Sequence, residues 1–182
     1  MFKKAAIAAS VAALAGIGQA AWSASPATTP MTVSASVANN CIISTAPTFS
    51  FGAYDPVSTN LVAALDVSTT FAIKCTKNST GVAVGFTDGG FFTTTRRLSD
   101  GAGTPSFLDY ELYHPSAVGA AATCPYSTRW GSTLGTDTFA VGSGNFTTGG
   151  TAVTVRVCGR IPGAQDAASG AYNDSVTLQV NF

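Results

Sequence analysis

The strongest constraint in this sequence is a side-chain period of two that persists to the last residue. Val176, Leu178, Val180 and Phe182 alternate with Ser175, Thr177, Gln179 and Asn181, which gives an extended chain one apolar face and one polar face. The same period recurs upstream. Met31, Val33, Ala35 and Val37 alternate with Thr32, Ser34 and Ser36, and Val67, Phe71 and Ile73 share a face leading to Cys75. Val82, Val84 and Phe86 follow, then Leu108, Tyr110 and Leu112, then Val153, Val155 and Val157. Turn-rich stretches lie between them, notably Asp88-Gly89-Gly90 and residues 99–103 and 142–150. Beyond the N-terminal leader no helical period survives, because Gly, Pro, Asn and Asp interrupt the apolar runs. Such a series of short strands predicts an all-β sandwich.

The leader is a different kind of segment. Met1-Phe2-Lys3-Lys4 is followed by an apolar, small-residue run over residues 5–21, the charged and hydrophobic regions of a secretory signal peptide. The run is short, rich in Ala and Gly and followed by Ser, Thr and Pro, which argues against a membrane span. Cleavage fits either Ala20, after Gly18-Gln19, or Ser23, after Ala21-Trp22. Removing residues 1–23 leaves about 160 residues, enough for one domain with a real core.

Charge excludes one class of partner. The chain has 9 basic and 9 acidic residues, and loss of Lys3 and Lys4 leaves 7 − 9 = −2, without the basic patch expected of a nucleic-acid binder. Four cysteines, Cys41, Cys75, Cys124 and Cys158, remain in the exported chain, and an even number in that setting predicts two disulfides. Three pairings are open; Cys41 with Cys75 and Cys124 with Cys158 close loops of equal separation (75 − 41 and 158 − 124, both 34). With no C-x-x-C spacing and a single histidine, His114, neither a metal site nor a cofactor is expected.

The two ends are unusual. A Thr- and Pro-containing lead over residues 25–30 precedes the alternating segment at residues 31–37, an extension that could detach from its own core. At the other end the chain finishes inside an apolar strand, whose edge invites pairing. From periodicity alone, both strands either complete the sandwich or pair with another chain.

Several motifs, taken in order, resemble a known family. They are Phe51-Gly52-Ala53-Tyr54-Asp55-Pro56, the strand ending at Cys75, Arg97-Leu98, and Leu108-Asp109-Tyr110-Glu111-Leu112-Tyr113. Trp130-Gly131, Gly159-Arg160-Ile161-Pro162 and the closing Gly170-Ala171-Tyr172-Asn173-Asp174-Ser175-Val176-Thr177-Leu178 complete the set. Together they resemble the spore coat protein U domain, over essentially the whole mature chain, a family similar to the subunits of archaic chaperone-usher pili of Gram-negative bacteria.

The resemblance implies an incomplete immunoglobulin-like β-sandwich completed by a donor strand. A periplasmic chaperone would fill its groove first; at the outer-membrane usher, the N-terminal extension of a neighbouring pilin subunit would replace the chaperone strand. This is β-strand addition, of which chaperone–pilin complementation is a standing example. Carried onto this chain, residues 1–23 are the signal peptide and residues 24–40 the extension, with Met31, Val33, Ala35 and Val37 as donor side chains. Residues 41–182 are the pilin domain, with Tyr172, Val176, Leu178, Val180 and Phe182 on the acceptor and chaperone-binding strand. Cys41 with Cys75 matches the family's usual bridge. Cys158 stands where relatives often carry an aromatic or apolar residue, so Cys124 with Cys158 reads as an added bridge. The product would be a surface pilus serving adhesion or biofilm formation, reached through the periplasm.

Chemistry has few footholds. His114 with Asp109 and a serine suggests a hydrolytic triad only on paper. Asp109 and Glu111, two apart on one strand, have the look of a glycosidase pair, but the family's recurrent use of that strand points to structure. The chain is therefore expected not to be an enzyme. The alternative is a secreted adhesive or lectin-like monomer, with Phe91, Phe92, Tyr113 and Trp130 as a binding patch, although core packing is the commoner fate of such aromatics.

Overall fold

The computed structural model describes residues 26–182; the expected signal peptide at residues 1–23 lies outside the described residues. The chain divides into two units, Met1–Ser36 and Val37–Phe182. In the first, residues 26–36 carry no strand, and Met31 and Val33 are 81 % and 82 % exposed. Period-two sequence is thus present there without a ladder.

The second unit is built of eight strands: β1 (Cys41–Thr45), β2 (Leu65–Cys75), β3 (Ala83–Phe86), β4 (Arg96–Ser99), β5 (Phe107–Tyr113), β6 (Phe139–Ala140), β7 (Ala152–Ile161) and β8 (Leu178–Asn181). A single 3-10 turn, Ser143–Phe146, falls in the Gly-rich stretch before β7. One sheet has the order β1-β2-β7-β5-β4 and the other β6-β3-β8. The longest ladder joins β2 to β7, in register from Leu65 opposite Ile161 to Lys74 opposite Ala152. Along β7 the alternation Val153, Val155, Val157 enters the core beside Phe71 and Ile73 of β2. From the other sheet come Val84 and Phe86, with Trp130 fully buried against Phe71 and Phe86. The Trp130 indole N–H donates to the Val84 carbonyl at 2.7 Å, so burial leaves its one donor satisfied.

An immunoglobulin constant domain has strands A-B-E-D in one sheet and C-F-G in the other. In the same chain order, β1-β2-β7-β5 occupy A-B-E-D and β3-β8 occupy C-F, while β4 and β6 are added edge strands. Beside β8, where strand G belongs, no strand lies among the described residues. The sandwich is immunoglobulin-like and incomplete.

The last strand is shorter than its sequence period predicts. Asn173 bridges Ser99 of β4, and the ladder with β3 begins only at Leu178 opposite Phe86. Between them the chain crosses from one sheet to the other, so residues 174–177 keep the alternation of exposure without a continuous ladder.

Disulfides join Cys41 to Cys75 and Cys124 to Cys158, each across a separation of 34. The first ties directly opposed residues of β1 and β2. The second holds the loop before Trp130 on the outer face of β7, where Cys158 is fully buried. Closing a loop of that length restricts the unfolded chain by roughly 3 to 4 kcal/mol. Replacing Cys124 and Cys158 together by Ser is expected to cost that much unfolding free energy, read from the urea midpoint of the purified protein.

Candidate functional site

The vacancy beside β8 opens onto an apolar groove. Two adjoining cavities of about 600 and 510 Å³ share Phe49, Phe51 and Leu98. One wall is the segment after β1, in which Pro47, Phe49 and Phe51 are half-buried while Thr48, Ser50 and Gly52 are exposed. The opposite wall is the segment leading into β8, in which Tyr172, Val176 and Leu178 are half-buried while Asn173, Ser175 and Thr177 are exposed. Both walls therefore present alternate side chains to the space between them. Residues 46–54 make no main-chain to main-chain hydrogen bond among the described residues, and β8 pairs on one side only, with β3. Unpaired backbone on both rims with half-covered apolar groups between them is the signature of a missing strand.

The floor is core. Leu98, Leu108, Tyr110, Leu112 and Val157 reach the groove from the five-stranded sheet and Phe86 from the other. Phe49 lies close over β7 because residue 159 is glycine: a Cβ there would stand 2.3 Å from the Phe49 ring and 3.0 Å from that of Phe51. Phe49 in turn packs edge-on against Phe51, and Phe51 against Tyr110.

Polar groups hold this frame. Arg96, 0 % exposed, ion-pairs with Glu111 and donates to the carbonyls of Phe86, Thr87 and Trp130. Arg129 pairs with the other Glu111 oxygen at 2.7 Å and with Asp88. One guanidinium thus pins both sheets at the groove floor. The Tyr110 hydroxyl donates to Asp174 at 2.7 Å, and Asp174 also accepts from the Gly90 amide at 2.8 Å, anchoring the β8 wall. Burial, with the Asp174 hydrogen bond second, pushes the Tyr110 phenol far above its usual range. On the other wall Tyr54 reaches the Pro162 carbonyl at 3.0 Å and accepts from the Gln165 amide at 3.1 Å.

The Spore Coat Protein U domain family matches residues 27–179. The chain belongs to that family. The chain is also similar to Protein U of Myxococcus xanthus, 32 % identical over 193 residues that cover 98 % of both proteins. Among solved structures, the CsuC–CsuE chaperone–tip adhesion subunit pre-assembly complex from archaic chaperone-usher Csu pili of Acinetobacter baumannii aligns with 19 % identity and a TM-score of 0.47, covering 80 % of this chain and 40 % of that one.

In this spore coat U domain the sequence-predicted residues fall into two groups. Tyr172, Val176, Leu178 and Val180 are half-buried against the core, the first three lining the groove and Val180 continuing their face along β8, whereas Phe182 is 52 % exposed. Met31, Val33, Ala35 and Val37 are all exposed and outside any strand. Sequence reasoning named only the β8 wall. The facing wall of Pro47, Phe49 and Phe51 also has a period of two, but its run is short and merges at Phe51 into a Gly-containing family motif, so periodicity alone does not mark it as a rim. The buried role of Arg96 left no sequence signal at all.

The chemical alternatives are dispersed. Both Glu111 oxygens are engaged by arginines, and the main chain of Asp109 is bonded to Gln165. His114 packs against Trp130 and Phe139 with Nε2 2.9 Å from the Asp137 carbonyl. Trp130 is core, so it belongs to no surface patch; Phe92 lies under Arg129 and Phe91 beside Phe107.

Two expectations follow. Arg96→Met leaves the buried Glu111 carboxylate with only Arg129 and the Leu112 amide as partners, which should cost roughly 3–5 kcal/mol of unfolding free energy in urea. Burial lowers the His114 pKa, with the Asp137 carbonyl opposing. The folded state therefore binds this proton less readily than the unfolded chain, and the stability involved is complete above about 6.5 and lost as pH falls through the depressed folded-state value. His114→Gln should flatten the decline in thermal midpoint below that pH.

Proposed function

We propose that this chain is a structural subunit of a surface pilus assembled by the chaperone-usher pathway, and that subunits are joined by donor-strand exchange. The observation that carries the reading is the vacant strand position beside β8 over an apolar groove, in a chain that also contains an exposed alternating segment, Met31, Val33, Ala35 and Val37. Membership of the spore coat U family supports it.

The donor segment belongs to an extension at residues 24–40 and the acceptor to a domain at residues 41–182. In a polymer, Met31, Val33, Ala35 and Val37 of one subunit fill the groove of its neighbour along Tyr172, Val176, Leu178 and Val180. The hydroxyl residues Thr32, Ser34 and Ser36 face water. Each large apolar side chain fully buried contributes about 1.5–3 kcal/mol, and the ladder to β8 satisfies the rim. Before assembly, a periplasmic chaperone lends a strand to the same edge, with Phe182 exposed at its end; the outer-membrane usher is where the exchange occurs. The signal peptide directs the chain to the periplasm, and adhesion or biofilm formation is the role of the finished fibre. No catalytic step enters this function.

Co-expressed with its chaperone and usher, the protein should form SDS-resistant polymers that dissociate on boiling. Val33→Asp with Val37→Asp should abolish the polymers and spare the chaperone complex, because a charge in an apolar groove is strongly opposed. Normal polymerisation of the double variant, or a wild-type protein that forms no SDS-resistant polymers with its chaperone and usher, would overturn the reading.

A further inference from the structure

One end of the groove carries an apolar knuckle that nothing in the domain covers. In the loop at residues 55–64, Val57, Leu61 and Val62 are 84 %, 54 % and 86 % exposed. The loop is nevertheless firmly built. Asp55 accepts from the amides of Val57 and Ser58 at 3.1 and 3.0 Å. Asn60 is 3 % exposed; its side chain accepts from the Asp55 amide and donates to the Ala63 carbonyl, and its own carbonyl accepts from Ala164. Gly163 approaches so closely that a Cβ would stand 2.6 Å from the Val62 carbonyl. Three aliphatic side chains held outward on a clamped loop are a surface rather than slack in the chain.

The opposite end of the domain is equally well fixed. Asn40 donates its amide to the Thr76 hydroxyl at 3.1 Å and accepts from the Thr76 amide at 2.9 Å. The Thr76 hydroxyl lies 3.2 Å from the Ala38 carbonyl, and the Ser79 hydroxyl lies 2.6 Å from the Asn39 side-chain oxygen. Residues 38–40 are therefore fastened to the turn after β2 instead of swivelling. Beside them Ile42 is 55 % exposed.

These two ends meet if strands are exchanged, and the inference rests on that reading. The groove walls run in opposite directions: the 46–51 segment faces residues 174–178, and the 49–56 segment faces residues 167–173. A strand completing the C-F-G sheet runs antiparallel to β8, so its C-terminal end emerges beside loop 55–64. In the donor, only Ala38, Asn39 and Asn40 separate Val37 from Cys41, a reach of at most about 14 Å. The body of the donating copy must then stand over that loop.

We propose that the Val57, Leu61 and Val62 knuckle of one copy packs against the junction end of the next copy, at Ile42 and the Thr76–Ser79 turn, forming a second contact that fixes the angle between successive subunits. The occupant is a second copy of this chain, brought there by the short, clamped junction.

The test places the photo-crosslinker benzoylphenylalanine at position 62 in full-length chain assembled with its chaperone and usher, and maps the products by mass spectrometry. The expected result is a copy-to-copy crosslink to residues 37–43 or 76–79, present in polymer and absent from the chaperone-bound monomer. In parallel, Val57→Asp, Leu61→Asp and Val62→Asp together should leave the ladder of SDS-resistant polymers intact while electron micrographs lose straight fibre segments and regular subunit spacing. Crosslinks only to the chaperone, within one copy or elsewhere on the second copy overturn the proposal, as do triple-variant fibres as straight and regular as wild type. A wild-type chain without SDS-resistant polymers sinks the donor-strand reading first, and this inference with it.

Discussion

A sheet edge with no partner among the described residues governs this molecule. The free side of β8 and the unpaired backbone of residues 46–54 both border half-buried side chains that belong, by their period, to a core. Main-chain donors and acceptors in such a position remain satisfied only by water or by another strand, and water is a poor cover for Phe49, Phe51, Val176 and Leu178. An extended segment with alternate apolar side chains is the one kind of occupant that would meet both pressures. That a single ligand type answers both the hydrogen-bonding and the hydrophobic demand is what favours the proposed strand exchange over a small-molecule ligand.

A groove with no strand in it keeps its shape only if its frame is held by other means, and the polar network provides for that. Arg96 sits where hydrophobic residues would ordinarily meet, yet from β4 its donors reach the carbonyls of Phe86 and Thr87 at the end of β3, that of Trp130, and Glu111 of β5. Apolar contacts slide; a guanidinium with fixed acceptors does not. Tyr54 and Tyr110 do the same for the two walls, each ending in a hydroxyl bonded across a large sequence separation. The cross-strand disulfide at Cys41 and Cys75 fastens β1 to its sheet immediately before the wall segment begins.

Much of the fold was legible in the sequence because period-two alternation reports directly which face of a strand is covered. The strands around Phe71, Val84, Leu108 and Val155 lie where that pattern put them. It failed in informative places. Residues 31–37 alternate without forming a strand, since a strand needs a partner and alternation shows only readiness for one. β4 and β6 are not legible in the sequence because Arg96-Arg97-Leu98-Ser99 and a two-residue pair have no usable period. Of the groove, the β8 wall was readable and the Phe49 wall was not, and the space Gly159 leaves for Phe49 is visible only when residues far apart in sequence are brought together.

By itself, the sequence determined that this is an all-β chain with four cysteines and an alternating apolar segment near each end; these are local properties, written in spacing and composition. Only the tertiary structure decided that β8 closes its sheet on one side alone, that the facing rim is residues 46–56, and that Arg96 is buried between the sheets. Those facts depend on which strands become neighbours. A strand's period says that a face will be covered, but the choice of cover is made by packing between segments more than a hundred residues apart in order of magnitude.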